Sequence, residues 1–235
     1  MSFEPNNQGT ITVNRDGPLS GTSTVPGDKS ISHRSLMLGA LSNGTTCISN
    51  ISTGNDVQAT LNCLERLGAK IITEGGDILV TGRGLGGLAS PGSALHCGNS
   101  GTTMRILSGI LAGHPFRSTL TGDQSLESRP MERIVDPLEQ MGAEIKHENG
   151  RPPLRIKGGG LRGIAHRSEV ASAQVKSCVL LAGIHAEGKT SVYEPYQSRN
   201  HTELMLQSMG YPITVDGNKI ELEGGKTLNL RDIAM

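Results

Sequence analysis

A unit of roughly 70 residues occurs three times in this 235-residue chain, a period longer than that of solenoid repeats. No single motif limits the possible folds as much. The first copy runs from Arg34-Ser-Leu-Met-Leu-Gly-Ala-Leu, through Leu61-Asn-Cys-Leu-Glu-Arg-Leu-Gly68, to Asp77-Ile-Leu-Val-Thr-Gly. The second has Arg105-Ile-Leu-Ser-Gly-Ile-Leu-Ala-Gly, Val135-Asp-Pro-Leu-Glu-Gln-Met-Gly142 and Leu154-Arg-Ile-Lys-Gly. The third has Val179-Leu-Leu-Ala-Gly, Glu203-Leu-Met-Leu-Gln-Ser-Met-Gly210 and Lys219-Ile-Glu-Leu-Glu-Gly.

Each copy reads as helix, strand, helix, strand, strand. The first helix is apolar on all sides and is therefore expected to be buried. The second is amphipathic: Val57, Leu61, Leu64 and Leu67 recur at spacings of three and four. It ends where Gly68, and its counterparts Gly142 and Gly210, can take the left-handed conformation of a C-terminal cap. Pro137 either kinks the second copy's outer helix or marks its start. The closing strands alternate, as in Lys219-Ile-Glu-Leu-Glu. One copy cannot bury its inner helix alone. Packing three about a common axis does so, and it gathers three helix N-termini.

Composition narrows the function classes. Aromatic residues are 2% of the chain and Trp is absent, so the core must be aliphatic and base-stacking platforms are missing. Lys plus Arg and Asp plus Glu both number 22, which argues against a nucleic-acid or anionic-membrane partner. A small anion pocket needs only a few cations in one place and stays open. Cys47, Cys63, Cys97 and Cys178 form no Cys-x-x-Cys pair and read as reduced thiols of a cytoplasmic protein. No signal-peptide pattern is visible, and no apolar run approaches ~18 residues.

Chemistry-bearing residues cluster before the predicted helices. Ahead of the first inner helix stands Pro26-Gly-Asp-Lys29-Ser30-Ile-Ser-His-Arg34. A helix start offers free N–H groups and partial positive charge, which suit phosphate or carboxylate. Lys29 adds a point charge, Ser30 a neutral donor and Arg34 a planar fork. The second copy has Gly98-Asn99-Ser-Gly101-Thr-Thr-Met-Arg105, where glycine permits close approach of a ligand to the backbone. The third has Ala171-Ser172-Ala173-Gln174-Val-Lys176. Before the outer helices stand Ser128-Arg129-Pro-Met131 and Ser198-Arg199-Asn-His201. Each feature alone is an ordinary cap or surface residue. Their recurrence at equivalent starts points to a polyanionic ligand. The histidines lack metal-ligand spacing, so no metal is expected, and no Ser-His-Asp pattern or nucleophile elbow is present.

In order and in wording, these five motifs resemble those of the 5-enolpyruvylshikimate-3-phosphate synthase family, over the chain from about Leu19 onward. The resemblance implies an α/β (α+β) fold of three β-α-β-α-β-β units about a pseudo-threefold axis, one of two similar halves with the site in the cleft between them. It implies residues 1–25 as a segment crossing from the other half, 26–226 as three units (26–96, 97–165 and 166–226), and 227–235 as the start of a hinge. It implies carboxyvinyl transfer from phosphoenolpyruvate to the 5-hydroxyl of shikimate-3-phosphate, with no cofactor and a monomeric enzyme.

Carried over by motif, Lys29 is catalytic and touches both substrates. Ser30, Arg34, Ser172, Ala173, Gln174, Ser198 and Arg199 line the shikimate-3-phosphate side. Asn99, Gly101, Arg129 and Gln174 line the side of phosphoenolpyruvate and of the inhibitor glyphosate. Ala173 replaces a second serine found in some members and removes one hydroxyl contact. The family's acid/base carboxylates and further cations belong to a second half beyond this chain, so the chain alone is expected to bind but not to turn over. The sister family acting on UDP-N-acetylglucosamine carries a Lys-Asn pair and a loop cysteine, whereas here Ser30 follows Lys29. A non-catalytic anion-binding module is the remaining alternative, though such a module has no physical need for Lys29, Ser30, Arg34, Gln174 and Arg199 together.

Overall fold

The computed structural model describes residues 17, 18 and 20–235, so most of the expected crossing segment, 1–16, lies outside the described residues. The first unit comprises α1 (Lys29–Leu41), β1 (Asn43–Ser49), α2 (Asn55–Arg66), β2 (Lys70–Glu74) and β3 (Asp77–Arg83). The second comprises β4 (Leu95–His96), α3 (Gly101–Ala112), β5 (Arg117–Thr121), a single turn α4 (Gln124–Glu127), α5 (Glu132–Gln140), β6 (Glu144–Glu148) and β7 (Arg151–Lys157). The third comprises β8 (Ala165–Arg167), α6 (Ala173–Gly183), β9 (Lys189–Tyr193), α7 (His201–Ser208), β10 (Ile213–Asp216) and β11 (Lys219–Glu223), and β12 (Ile233–Ala234) follows.

The three sheets have equivalent orders: β12-β1-β3-β2, β4-β5-β7-β6 and β8-β9-β11-β10. In each, one short strand runs parallel to its neighbour, with Leu95 opposite Leu120, Ala165 opposite Ser191 and Ile48 opposite Ile233. In the first sheet that strand comes from the far end of the chain. Residues 227–235, expected as the start of a hinge, pack back onto the domain: the Asn229 N–H donates to the Met209 carbonyl at 2.9 Å in the third unit, and Asp232 Oδ1 accepts the Cys47 N–H at 3.0 Å in the first.

The inner helices α1, α3 and α6 are buried along most of their length, as their unbroken apolar runs require. Each outer helix wedges against the inner helix of the next unit: α2 against α3, α5 against α6, and α7 against α1. This cyclic pattern closes the core about one axis, with the sheets as the outer layer. Leu36, Leu38, Ile106, Leu107, Leu180 and Leu181 are fully buried, each contributing roughly 1.5–3 kcal/mol by area. On α2, Val57 and Leu64 are buried with Leu67 just beyond, while Leu61 is half-buried at the edge of the stripe. Gly68, Gly142 and Gly210 all take positive φ where the outer helices end. Pro137 lies inside α5, not at its start.

The approach of α3 to α6 is close because Gly109 has no side chain. A Cβ there would lie 2.1 Å from the Cys178 carbonyl oxygen. Cys63, Cys97 and Cys178 are buried free thiols, and Cys47 is half-buried. Among the described residues no helix is long and apolar enough to cross a membrane.

Candidate functional site

Capping side chains set the starts of the three inner helices. Asp28 accepts the Ile31 N–H, Ser100 the Thr103 N–H and Ser172 the Val175 N–H. Each leaves further first-turn N–H groups aimed outward on the face where the expected ligand residues sit. Lys29, Asn99 and Arg199 are exposed there. Ser30, Arg129, Ser172, Ala173, Gln174 and Ser198 are half-buried, and Gly101 and Arg34 are buried.

Polar contacts join the units where their inner helices meet. Between α1 and α3, His33 Nδ1 meets Thr60 Oγ1 at 2.6 Å, Thr60 meets Thr103 Oγ1 at 2.7 Å, and Thr103 donates to Ser100 Oγ. Between α3 and α6, Arg105 donates to Gln174 Oε1 at 2.8 Å, and Gln174 Nε2 donates to Thr102 Oγ1 at 2.9 Å. Between α6, α7 and α1, Arg34 donates from Nε to Thr202 Oγ1 at 2.7 Å and from NH2 to Ser177 Oγ at 2.7 Å. It also donates to the Ser30 and Ala173 carbonyls. Arg34 thus ties three helix starts together, and only part of its fork is left for a ligand.

The remaining predicted residues link into this frame. Arg199 NH1 donates to Ser30 Oγ at 2.8 Å, across 169 positions of sequence. Lys29 Nζ pairs with Asp56 Oδ2 at 2.9 Å. Arg129 donates to Asn99 Oδ1, and Asn99 donates to Asp123 Oδ2. A Cβ on Gly101 would lie 2.9 Å from Arg105 NH1 and 3.3 Å from Arg129 NH1, so this glycine is what lets two guanidinium groups crowd the α3 start. Ala171–Gln174 with Tyr196, Ser198 and Arg199 line an open depression of about 400 Å³.

Electrostatics agree with an anion-binding face. Burial, then the neighbouring Arg129 and Arg133, push Arg105 below its ordinary pKa, the mark of cations held close together. Burial lowers Arg34 to about 10, with Glu203 opposing the shift. The N–H of Leu126 and the Asn99 amide hold the Asp123 carboxyl below its usual range.

Three contributors stand outside the predicted set. Asp56 lies in the first turn of α2, close to where Arg129 and Arg199 precede the other outer helices, and aligning the three copies would point to this stretch. Arg105 closes the second motif and meets the predicted Gln174. Glu194 lies between motifs and carries no sequence signal of its own.

Helix starts carrying small polar groups, two of them with cations alongside, share one face of a threefold-repeated α/β body, an arrangement suited to receiving an anion. The family model for EPSP synthase (3-phosphoshikimate 1-carboxyvinyltransferase) matches residues 13–234. The chain belongs to the EPSP synthase family. It is 48% identical over 225 residues to the 3-phosphoshikimate 1-carboxyvinyltransferase of Bacillus pumilus, covering 95% of this chain and 53% of the relative. It is 50% identical over 218 residues to that of Bacillus cytotoxicus, covering 92% and 51%. The solved EPSP synthase from Acinetobacter baumannii superposes with a TM-score of 0.88 at 50% identity, covering 92% of this chain and 49% of that one. The chain spans about half the length of the relatives it matches.

Proposed function

We propose that this chain is the shikimate-3-phosphate-binding half of a two-half carboxyvinyl transferase. The observation that carries the reading is the Arg199–Ser30 hydrogen bond at 2.8 Å. It brings the start of the last outer helix onto the start of the first inner helix, beside the depression lined by Ser172, Ala173, Gln174 and Ser198. Separate motifs thereby face one ligand-sized space.

In this reading Ser172, Ser198, Arg199, Ser30 and the free part of the Arg34 fork hold shikimate-3-phosphate. Ala173 closes its wall, and Gln174 lies between the substrates. Asn99, Gly101 and Arg129 take phosphoenolpyruvate. Both substrates are anions, and the cations here cancel their repulsion and orient them for attack. The 5-oxygen adds to C2 of phosphoenolpyruvate as C3 gains a proton. The attacking hydroxyl gives up its proton, and loss of phosphate with a C3 proton then restores the double bond, leaving the new enol ether. Lys29, exposed at the α1 start, supplies positive charge to both substrates once it leaves Asp56. The second half supplies the remaining acid/base groups, so turnover waits on it. The same reading keeps 26–226 as one domain of three units, with the unit boundaries falling just before β4 and β8 and not at 97 and 166, takes 227–235, paired to the first unit through β12, as the approach to the second half, and makes the whole a cytoplasmic monomer without metal or organic cofactor.

Calorimetric titration of this chain with shikimate-3-phosphate tests the reading. Saturable binding is expected, weakened tenfold or more in Arg199→Ala because a hydrogen bond to a charged group is worth about 1.5–3 kcal/mol. No product should form when phosphoenolpyruvate is added. Absence of binding at low salt, or equal affinity for inorganic phosphate or UDP-sugars, would overturn it, the latter in favour of a generic anion-binding module.

A further inference from the structure

Beneath the α6 start lies a buried ion cluster, Lys176 with Glu194 and Glu203, to which the proposed substrate roles assign nothing. Lys176 Nζ sits 2.7 Å from Glu194 Oε2 and 2.7 Å from Glu203 Oε1, and all three side chains are at least 97% buried. Arg34, itself buried and attracted by Glu203, brings the cluster to two cations and two anions. Taking such groups out of water costs several kcal/mol per ion, and apolar residues of similar volume usually serve stability as well or better. The cluster therefore calls for an explanation other than stability.

Its hydrogen bonds supply one. Glu194 Oε1 accepts the Ser172 N–H at 3.1 Å and the Ser198 hydroxyl at 2.6 Å, and Oε2 accepts the Ser198 N–H at 3.4 Å. Ser172 is the α6 cap, and Ser198 precedes Arg199 at the entry to α7. One carboxylate thus clamps the two turns that wall the depression, and Lys176 holds that carboxylate from below. Lys176 also anchors to Glu203 on α7, so the inner helix, the outer helix and the loop between β9 and α7 share one fixed point.

We infer that Glu194, locked by Lys176, is a positioning residue that sets the Ser172 and Ser198 turns at the separation the ligand requires. Glu203 serves as counter-charge and touches neither turn. The inference rests on reading this face as the shikimate-3-phosphate site.

The test compares Glu194→Gln with Glu203→Gln in this chain. Both remove one buried negative charge from Lys176, but only the first disturbs the clamp. Three quantities are read: amide hydrogen exchange at Ser172 and Ser198 against α6 interior amides such as Val179, affinity for shikimate-3-phosphate, and the urea midpoint. In Glu194→Gln, exchange at the two serines should quicken and affinity fall by about tenfold or more, the scale of one lost charge-assisted hydrogen bond, while Val179 keeps its protection. In Glu203→Gln, affinity should fall markedly less for a similar change in midpoint. Equal affinity loss in the two variants, unchanged serine exchange in Glu194→Gln, or unchanged affinity there would overturn the inference while leaving the site reading intact. Failure of the unmodified chain to bind shikimate-3-phosphate would overturn the site reading, and with it the purpose assigned to the clamp. If Glu194→Gln does not fold, Lys176→Gln under the same readouts decides: local serine loosening with weakened binding supports the clamp, and wild-type behaviour overturns it.

Discussion

At Gly101 two effects of one methyl group oppose each other. The residue begins α3 with an ordinary helical backbone, so alanine there carries no φ strain and gains up to about 1 kcal/mol of helix propensity. Its Cβ, however, would lie 2.9 Å from Arg105 NH1 and 3.3 Å from Arg129 NH1. Both are ends of flexible side chains, so they move aside at little cost to the fold. That displacement takes Arg129 off the place proposed for phosphoenolpyruvate. Gly101→Ala should therefore keep or slightly raise the thermal midpoint. It should weaken phosphoenolpyruvate and glyphosate binding tenfold or more, the scale of one charged hydrogen bond. Calorimetry with shikimate-3-phosphate already present reads the second effect, and thermal unfolding the first. A fall in both together would mean that Gly101 is structural.

At Gly109 the same substitution has a different outcome, because the obstacle belongs to the partner helix and not to a side-chain tip. The Cβ would stand 2.1 Å from the Cys178 carbonyl, and backbone in a buried helix cannot step aside alone. The gain in propensity of about 1 kcal/mol is outweighed by overpacking, which typically costs 1–3 kcal/mol and more when a backbone must shift. Gly109→Ala should lower unfolding free energy by about 1–2 kcal/mol as read by urea titration. Helices of this kind are legible from their letters. The apolar runs at Leu36–Leu41 and Val179–Gly183, and the Leu/Met-Gly stops, specify element type through local periodicity. The short strands β4, β8 and β12 are not legible. Two or three residues make no pattern, and β12 is defined only by pairing Ile233 with Ile48 from the opposite end of the chain. The site divides the same way. Lys29, Ser30, Asn99 and Ser172 show themselves at helix starts. Asp56 needs the copies aligned, and Glu194 needs the fold, because its partners are chosen by packing and not by spacing.

For the molecule as a whole, the threefold seams place histidines where charge cannot be tolerated. His33 is fully buried, its Nδ1 is engaged by Thr60, and its Nε2 has no partner. Burial lowers its pKa to about 4, with Asp56 opposing and Arg34 and Lys29 assisting. Burial also lowers His185, to about 3. The folded chain keeps both rings neutral, whereas the unfolded chain takes up protons near the ordinary value of 6.5. Above that pH neither state gains, and stability is full. As pH falls from 6.5 the unfolded state alone binds protons, and stability drops until the folded rings also charge, near 4 for His33. The depression of His33 alone corresponds to about 3 kcal/mol across that window, at roughly 1.4 kcal/mol per unit. Glu194 acts in the same direction. Burial alone would raise its carboxyl, but Lys176 and Ser198 hold it below the ordinary value, so its stabilising contribution is also lost on acidification. Urea midpoints measured between pH 7.5 and 4.5 should therefore fall steeply below 6.5. A His33→Gln variant, which keeps a side-chain group able to reach Thr60, should be less stable at neutral pH but flatter in its acid limb. An acid limb unchanged in His33→Gln would mean that the α1–α3 seam is not where the pH dependence resides.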